Sequence, residues 1–323
     1  MGVSFCFRTH SPMKLLVTGA CGYKGSVLVP KLLAQGHEVT AFDIQWFGNE
    51  LPDHPDLRVI QGDVCDTESI PLEGVDAIIH LASVANDPCG DLDPKLTWEI
   101  SALATMRLAD KAVRHGIRRF IYASSGSVYG VKSELQVTED LELAPLTEYN
   151  KTKMVAERVL LSYRDEMAVQ IVRPATVCGV SPRMRLDVSV NMLTMQALTN
   201  GRITVFGGDQ VRPNIHIDDI TDLYIYLLDH PELTGVYNAG FENISIREIA
   251  ERVTAVIPAE IVVTPSNDPR SYRQNSDRLL AAGFAPKKTI DDAIWEITAA
   301  YQRGALKDQD RWHNLRWMQR ARS

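Results

Sequence analysis

Short apolar runs alternate with longer stretches of helical periodicity along the first half of this chain, and few folds accommodate that rhythm. The runs are Lys14–Thr18, Glu38–Asp43, Leu57–Gln61, Asp76–Leu81 and Arg119–Ser124. A helical stretch from about Pro94 to His115 is closed by Gly116. A second, over Thr147–Met167, precedes a further apolar run at Val169–Arg173. Strands that are apolar on both faces and separated by helices predict an α/β fold, a parallel sheet with helices laid on each side. After Pro174 the elements shorten. The pattern predicts helices over Asp187–Asn200, Asp218–Asp229, Ser245–Val256, Asp277–Ala282 and Thr289–Arg303, with a strand at Val236–Ala239. This half reads as a smaller α/β region, and the lack of a Gly-, Ser- or Pro-rich linker predicts an interface shared with the first. Met1–Pro12 is expected to be a disordered extension, with the fold beginning near Met13.

Composition removes several classes of function. The 323 residues carry 34 Lys and Arg against 41 Asp and Glu, a net charge of −7, and nonspecific nucleic-acid binding needs the opposite balance on one face. No apolar run approaches the roughly 18–20 residues of a membrane span. The five cysteines include no CxxC pair, which argues against a disulfide framework and a zinc ribbon and predicts a reducing, cytoplasmic setting. The histidines form no HxxxH pair, so no metal site is expected.

Thr18-Gly19-Ala20-Cys21-Gly22-Tyr23-Lys24-Gly25 lies at the first strand–helix junction. Its glycine spacing is G-x-x-G-x-x-G. Gly19 suits the tight turn, Gly22 admits a pyrophosphate to the backbone, and Gly25 allows close packing of the helix. Anionic phosphates then face the positive end of the helix dipole. Asp43, 18 residues beyond Gly25, can accept from the adenosine ribose hydroxyls and repels a 2′-phosphate, which favours NAD over NADP. Lys24 pulls the other way: it either reaches a 2′-phosphate or faces solvent. Asp63 either binds the adenine amino group or serves as a turn residue.

Tyr149 and Lys153 stand four apart at the start of a predicted helix, so both side chains share one face. A free Tyr titrates near 10, and a neighbouring ammonium is expected to lower that value, making Tyr149 a general acid and base. Ser124-Ser125-Gly126-Ser127-Val128-Tyr129-Gly130 follows the fifth strand, at the strand end where open parallel sheets bind ligands. Ser125 there can bond a substrate hydroxyl or ketone.

In order along the chain, TGACGYKG at 18–25, Asp43, GDV at 62–64, HLAS at 80–83, SSGSVYG at 124–130, YNKTK at 149–153, RPATVCG at 173–179 and RPNIHIDD at 212–219 resemble the extended short-chain dehydrogenase/reductase family. The likeness is to its nucleotide-sugar epimerase and dehydratase branch, over essentially Lys14 to Arg303. The resemblance implies a Rossmann doubly wound sheet with a smaller, interleaved substrate-binding region. Residues 13–180 would bind NAD, with 214–240 returning to that domain, while 181–213 and 241–323 would bind the nucleotide-sugar. It implies Ser125, Tyr149 and Lys153 as the catalytic triad, Ser125 being chosen over Ser124 by its distance from the Tyr of VYG. The cofactor would touch Gly19, Cys21, Gly22, Tyr23, Gly25, Asp43, Asp63, Val64, Leu81, Ala82, Ser83, Tyr149, Lys153 and Pro174. Asn191, Arg212 and Arg270 would hold the substrate diphosphate, since Arg pairs with phosphate oxygens bidentately. Arg183 and Arg185 either join that pocket or are surface charges. His216 is read as buttressing its loop.

Departures from the family pattern shape the functional expectation. Dehydratases of this branch carry an acidic pair where Gly126 and Ser127 stand, sugar-acid decarboxylases Glu at Ser127, and a 3,5-epimerase relative Cys there. Cys178 and Ser101 also replace common family residues near the pocket. The resemblance implies an NAD-dependent nucleotide-sugar 4-epimerase. A 4-dehydrogenase or 4-keto reductase of surface-polysaccharide synthesis, acting on heptose-type sugars, is the alternative, and a non-catalytic NAD-sensing protein is the reading from another class. A homodimer through the helices at 94–115 and 147–167 is expected by analogy.

Overall fold

Leu15, Leu16 and Val17 show no polar alternation because both faces of their strand are covered, leaving each at most 1% exposed. They lie in a computed structural model that describes residues 11–266 and 271–320; Met1–His10 of the expected extension, and Arg270, fall outside the described residues. In chain order the first half comprises β1 (Lys14–Thr18), α1 (Gly25–Ala34), β2 (Glu38–Asp43), β3 (Leu57–Gln61), β4 (Ala77–His80), α2 (Asp87–Leu92), α3 (Pro94–Trp98), α4 (Ala104–Arg114), β5 (Arg119–Ala123), α5 (Glu148–Ser162) and β6 (Ala168–Pro174). The second half comprises β7 (Thr176–Cys178), α6 (Ser189–Asn200), β8 (Arg202–Phe206), β9 (Val211–His216), α7 (Ile217–Asp229), β10 (Gly235–Ala239), β11 (Glu242–Ser245), α8 (Ile246–Val256), β12 (Glu260–Thr264), α9 (Asp277–Ala281), α10 (Ile290–Gln302) and α11 (Asn314–Arg320).

Seven strands form one sheet in the order β10-β6-β5-β4-β1-β2-β3, every pair parallel. Successive strand residues point to opposite faces. Leu15, Val17, Ile79 and Ile121 therefore meet Leu28 and Leu32 of α1 and Leu223 and Leu227 of α7 on one side. Leu16, Ile78, Phe120 and Tyr122 meet Leu108 of α4 and Ala156 and Leu160 of α5 on the other. Each such buried aliphatic side chain contributes roughly 1.5–3 kcal/mol. There are two smaller sheets, β11-β9-β7 and β12-β8; β7 begins two residues after β6 and β11 three residues after β10. The helix expected over Pro94–His115 is interrupted by a π-helical turn at Glu99–Leu103. No helix among the described residues is long and apolar enough to cross a membrane.

The strand order reverses between β1 and β4, and their carboxyl ends open there into a crevice, the usual ligand position in such sheets. His80 fixes the two ends together. Its Nδ1 accepts from the Thr18 hydroxyl at 2.6 Å, and its Nε2 donates to Thr105 Oγ1 at 2.9 Å while Thr105 passes its own proton to the Ser101 carbonyl. Burial, then the Lys153 charge, hold His80 neutral with a pKa near 3.

Candidate active site

The glycine loop begins where β1 ends, and sterics dictate its composition. Gly19 has φ +69°, and a Cβ there would lie 2.6 Å from the Ala82 backbone nitrogen. A Cβ on Gly25 would stand 2.3 Å from the Ala20 carbonyl oxygen, so this glycine serves packing of the helix start on its own loop. Tyr23 is locked by donating to the Gly179 carbonyl at 2.7 Å. The loop forms one wall of a cavity of about 670 Å³. Gly19, Cys21, Gly22, Tyr23, Gly25, Asp43, Asp63, Val64, Leu81, Ala82, Ser83, Ser125, Tyr149, Lys153 and Pro174 all line it.

At one end, Asp43 closes β2 and accepts the Cys21 amide at 3.0 Å and the Gln45 amide at 2.6 Å. Burial raises its pKa, opposed by those two amides and by the Arg183 charge. Asp63 accepts the Cys65 amide at 2.9 Å, the turn role expected of it, and it also borders the cavity. The Cys21 thiol is buried, bonds Asn49 Oδ1 at 3.4 Å, and is pushed up to about 12 by burial and by Asp43. A dinucleotide fits this wall: the close-packed glycines leave the loop backbone open to phosphates, and a carboxylate waits at the ribose position.

The other end gathers Ser125, Tyr149 and Lys153. Ser125 follows the end of β5, and its Oγ accepts the Ser127 amide at 3.2 Å. Tyr149 occupies the first turn of α5, whose N-cap Thr147 accepts the Asn150 amide and donates to Asp87 at 2.6 Å. The Tyr149 pKa is pushed up to about 12, first by burial and further by Asp87 and Tyr272, against the Ser125 hydroxyl and the Arg185 charge. The expected lowering by Lys153 is thus not the balance in this structure. Lys153 Nζ donates to the Ala123 carbonyl at 2.7 Å and stands 5.9 Å from the Tyr149 ring centroid. Its own pKa is driven well down by burial and by Lys24, with Glu157 opposing. Beneath it, Glu157 accepts Ser124 and a forked Arg173 at 3.0 and 2.7 Å, and Arg173 donates to Tyr129 Oη at 2.7 Å.

Several expected contacts are placed differently. Asn191, expected on the substrate diphosphate, is fully buried: its Oδ1 accepts the Gly179 amide, and its Nδ2 donates to Tyr23 Oη and the Arg185 carbonyl. All its polarity is spent bracing the glycine loop, and it does not line the cavity. Arg185 does line it but forks onto Asp187 at 2.9 and 3.1 Å. Arg183 is buried rather than at the surface, 4.0 Å from the Phe47 ring, bonded to Asn314 Oδ1 at 2.6 Å and drawn down to about 9 by burial and Arg185. Arg212 borders the cavity. Lys24 is half-buried, and its ammonium turns inward to Tyr224 Oη at 3.3 Å. Cys178 points into the apolar cluster of α6, α8 and α10. Ser101, in the π-helical turn, bonds Ser83 Oγ and the Val84 amide and so shapes the loop after β4. His216 buttresses its loop, accepting the Asp218 amide and meeting Glu296 at 3.1 Å. His216, Asp218 and Glu296 are grouped as metal ligands can be, but Lys288 pairs with both carboxylates and Lys31 with Asp218.

Sequence reasoning passed over Asn86, Asp187, Ser189 and the C-terminal helix. Asn86 has φ +74° and joins Asp187 at 3.0 Å, facing the cavity. The Asn-Asp-Pro start of α2 was the signal for it. Ser189 Oγ is buried on the cavity wall without a partner among the described residues. Asn314 and Leu315 of α11 complete the wall near Arg183, and Trp317 anchors them to the Trp46 carbonyl at 2.7 Å.

Residues 15–240 match the sequence pattern of the NAD dependent epimerase/dehydratase family. The UDP-glucose 4-epimerase of Corynebacterium glutamicum is 27% identical, across 89% of this chain and 96% of its own. That of Lactobacillus helveticus is 28% identical, across 90% and 99%. Among solved structures, MoeE5 in complex with UDP-glucuronic acid and NAD superposes with a TM-score of 0.80 at 26% identity, covering 91% of this chain and all of that one. The Thermus thermophilus UDP-glucose 4-epimerase complex with NAD gives 0.79 at 25%, with the same coverage.

Proposed function

The chain belongs to the NAD-dependent epimerase/dehydratase family, and from that membership we propose that it is a nucleotide-sugar 4-epimerase with Ser125, Tyr149 and Lys153 as its catalytic residues. The observation that carries the proposal is the grouping at one end of the cavity: Ser125, Tyr149 and Lys153 line it together, Lys153 Nζ stands 5.9 Å from the Tyr149 ring centroid, and positions 126 and 127 are Gly and Ser. Elimination of water from a sugar needs an acid and a base beyond the tyrosine, and those two positions supply neither. Asp87, the nearest carboxylate felt by Tyr149, is engaged by Thr147 and Asn150 in holding α5.

The glycine loop and Asp43 would hold the cofactor's diphosphate and ribose. Bound NAD supplies the hydride acceptor, the hydride donor for the return step, and a cationic ring. Tyr149 Oη takes the proton of the C4 hydroxyl, and Ser125 orients that oxygen by its hydrogen bond. The resulting 4-keto sugar turns within the cavity, and Tyr149 returns the proton to the same oxygen after the opposite face has been presented. Lys153, whose ammonium burial opposes and Glu157 supports, lies 5.9 Å from the ring centroid of Tyr149, where its charged form favours the phenolate. Arg212, Ser189 and Arg185 line the remaining wall and would meet the nucleotide-sugar, Arg185 with its charge already matched by Asp187.

The test is a panel of UDP-, GDP-, dTDP- and CDP-sugars incubated with the purified protein without added cofactor, with products read by NMR. A C4-inverted sugar and no net NADH is the expected result. Accumulating NADH or a free keto-sugar would replace the epimerase by a net 4-dehydrogenase.

A further inference from the structure

Lys24 interrupts the glycine loop with a charge that the rest of the loop does not share. Its side chain lines the cavity, its ammonium donates to Tyr224 Oη at 3.3 Å, and it stands 5.7 Å from that ring's centroid. Tyr224 is fully buried on α7. Tyr149, Lys153 and Arg185 line the same cavity, and the Lys24 charge is felt by both of those cations. Three other cations of this wall are answered: Arg185 by Asp187, Arg183 by Asn314 and by the field of Asp43, and Lys153 by the Ala123 carbonyl with Glu157 behind it. Among the described residues Lys24 has a hydroxyl and a ring face, and no carboxylate enters its surroundings. Burial, and then Arg185, bring its pKa to about 8, so at pH 7 most of it is still charged.

We propose that Lys24 is a specificity residue for the oxidation state of the cofactor, making this cavity bind the reduced form in preference to the oxidised one. The inference rests on the reading that the Tyr149 end houses the nicotinamide. That ring is a cation when oxidised and neutral when reduced, so a fixed unmatched ammonium near it raises the free energy of the oxidised complex and leaves the reduced one nearly unchanged. The diphosphate is common to both forms, and its attraction to Lys24 cancels from their ratio. Hydride removal from the sugar is favoured in consequence, and its return is slowed.

The test uses the full chain equilibrated with NAD+ and NADH at known free ratios, after which bound cofactor is released by denaturation and both forms are quantified. In Lys24→Met, which keeps the stem, the preference for NADH falls on the order of tenfold, the size of a unit-charge effect over about 12 Å at an effective dielectric of about 20. In Lys24→Arg it is retained, which shows that the loop tolerates substitution. Equal weakening of both forms in Lys24→Met assigns the charge to the diphosphate and overturns the proposal, as does an unchanged ratio. Wild-type protein that binds neither form would instead remove the NAD reading on which the proposal stands.

Discussion

Replacing Glu157 with Gln removes one of two opposite charges sealed under the catalytic end of the sheet. Glu157 is 1% exposed and Arg173 4%, with Arg173 Nη2 2.7 Å from a carboxylate oxygen. At that distance and an effective dielectric of about 20 the attraction is about 6 kcal/mol. The amide keeps one acceptor for the guanidinium but turns an NH2 donor toward either Arg173 or Ser124. Arg173 is then left buried with its charge unmatched, and such losses cost about 3–5 kcal/mol. Against a total stability of roughly 5–15 kcal/mol this is a large share. Urea unfolding followed by the fluorescence of the five tryptophans reads it directly. The double variant Glu157→Leu with Arg173→Met recovers most of the loss, because a buried pair replaced as a pair leaves no orphaned charge. A Glu157→Gln variant that loses less than about 1 kcal/mol would contradict this, since the Arg173 charge would then have to be matched by something other than Glu157.

Three further outcomes follow from the same geometry. Tyr149→Phe lowers turnover by about 100-fold or more while leaving the dissociation constant for NAD within about threefold, measured by single-turnover kinetics and calorimetry. Asp43→Asn weakens NAD binding about tenfold and narrows discrimination against NADP, since the charge that repels the 2′-phosphate is gone; equal losses for both cofactors would contradict it. His80 is held near pKa 3 when folded, below its unfolded value of about 6.5, so the unfolded chain binds the extra proton between those values. Stability therefore falls as pH drops from 6.5, by about 3 kcal/mol from this residue at pH 4.5, and His80→Gln flattens that slope in thermal melts across the same window.

The central sheet was legible because its strands are buried on both faces: LLV, AIIH and RFIYA can hardly be anything else between helical stretches. The small sheets were not, since β7 is three residues long and its register depends on β9, more than 30 residues away. The π-helical turn at Ser101 was hidden inside an unbroken helical periodicity. At the site, Tyr149 and Lys153 could be paired from spacing alone, because a helix makes four residues a contact distance. Their titration could not, because burial, which raises the phenol, is set by the elements packed around them. Asn191 illustrates the same limit: its amide belongs to Tyr23, Gly179 and Arg185, partners that no local pattern announces. The inward turn of Lys24 likewise depends on Tyr224, 200 residues along the chain.

In the proposed epimerisation one hydride leaves C4 and returns to it within a single binding event, with Tyr149 moving the proton. A nucleotide-sugar substrate of the panel labelled with deuterium at C4 tests this most directly. The expected result is an inverted product that keeps its deuterium at C4, with none in the solvent and none in free NADH. Loss of the label to solvent, or its appearance in released cofactor, would contradict it.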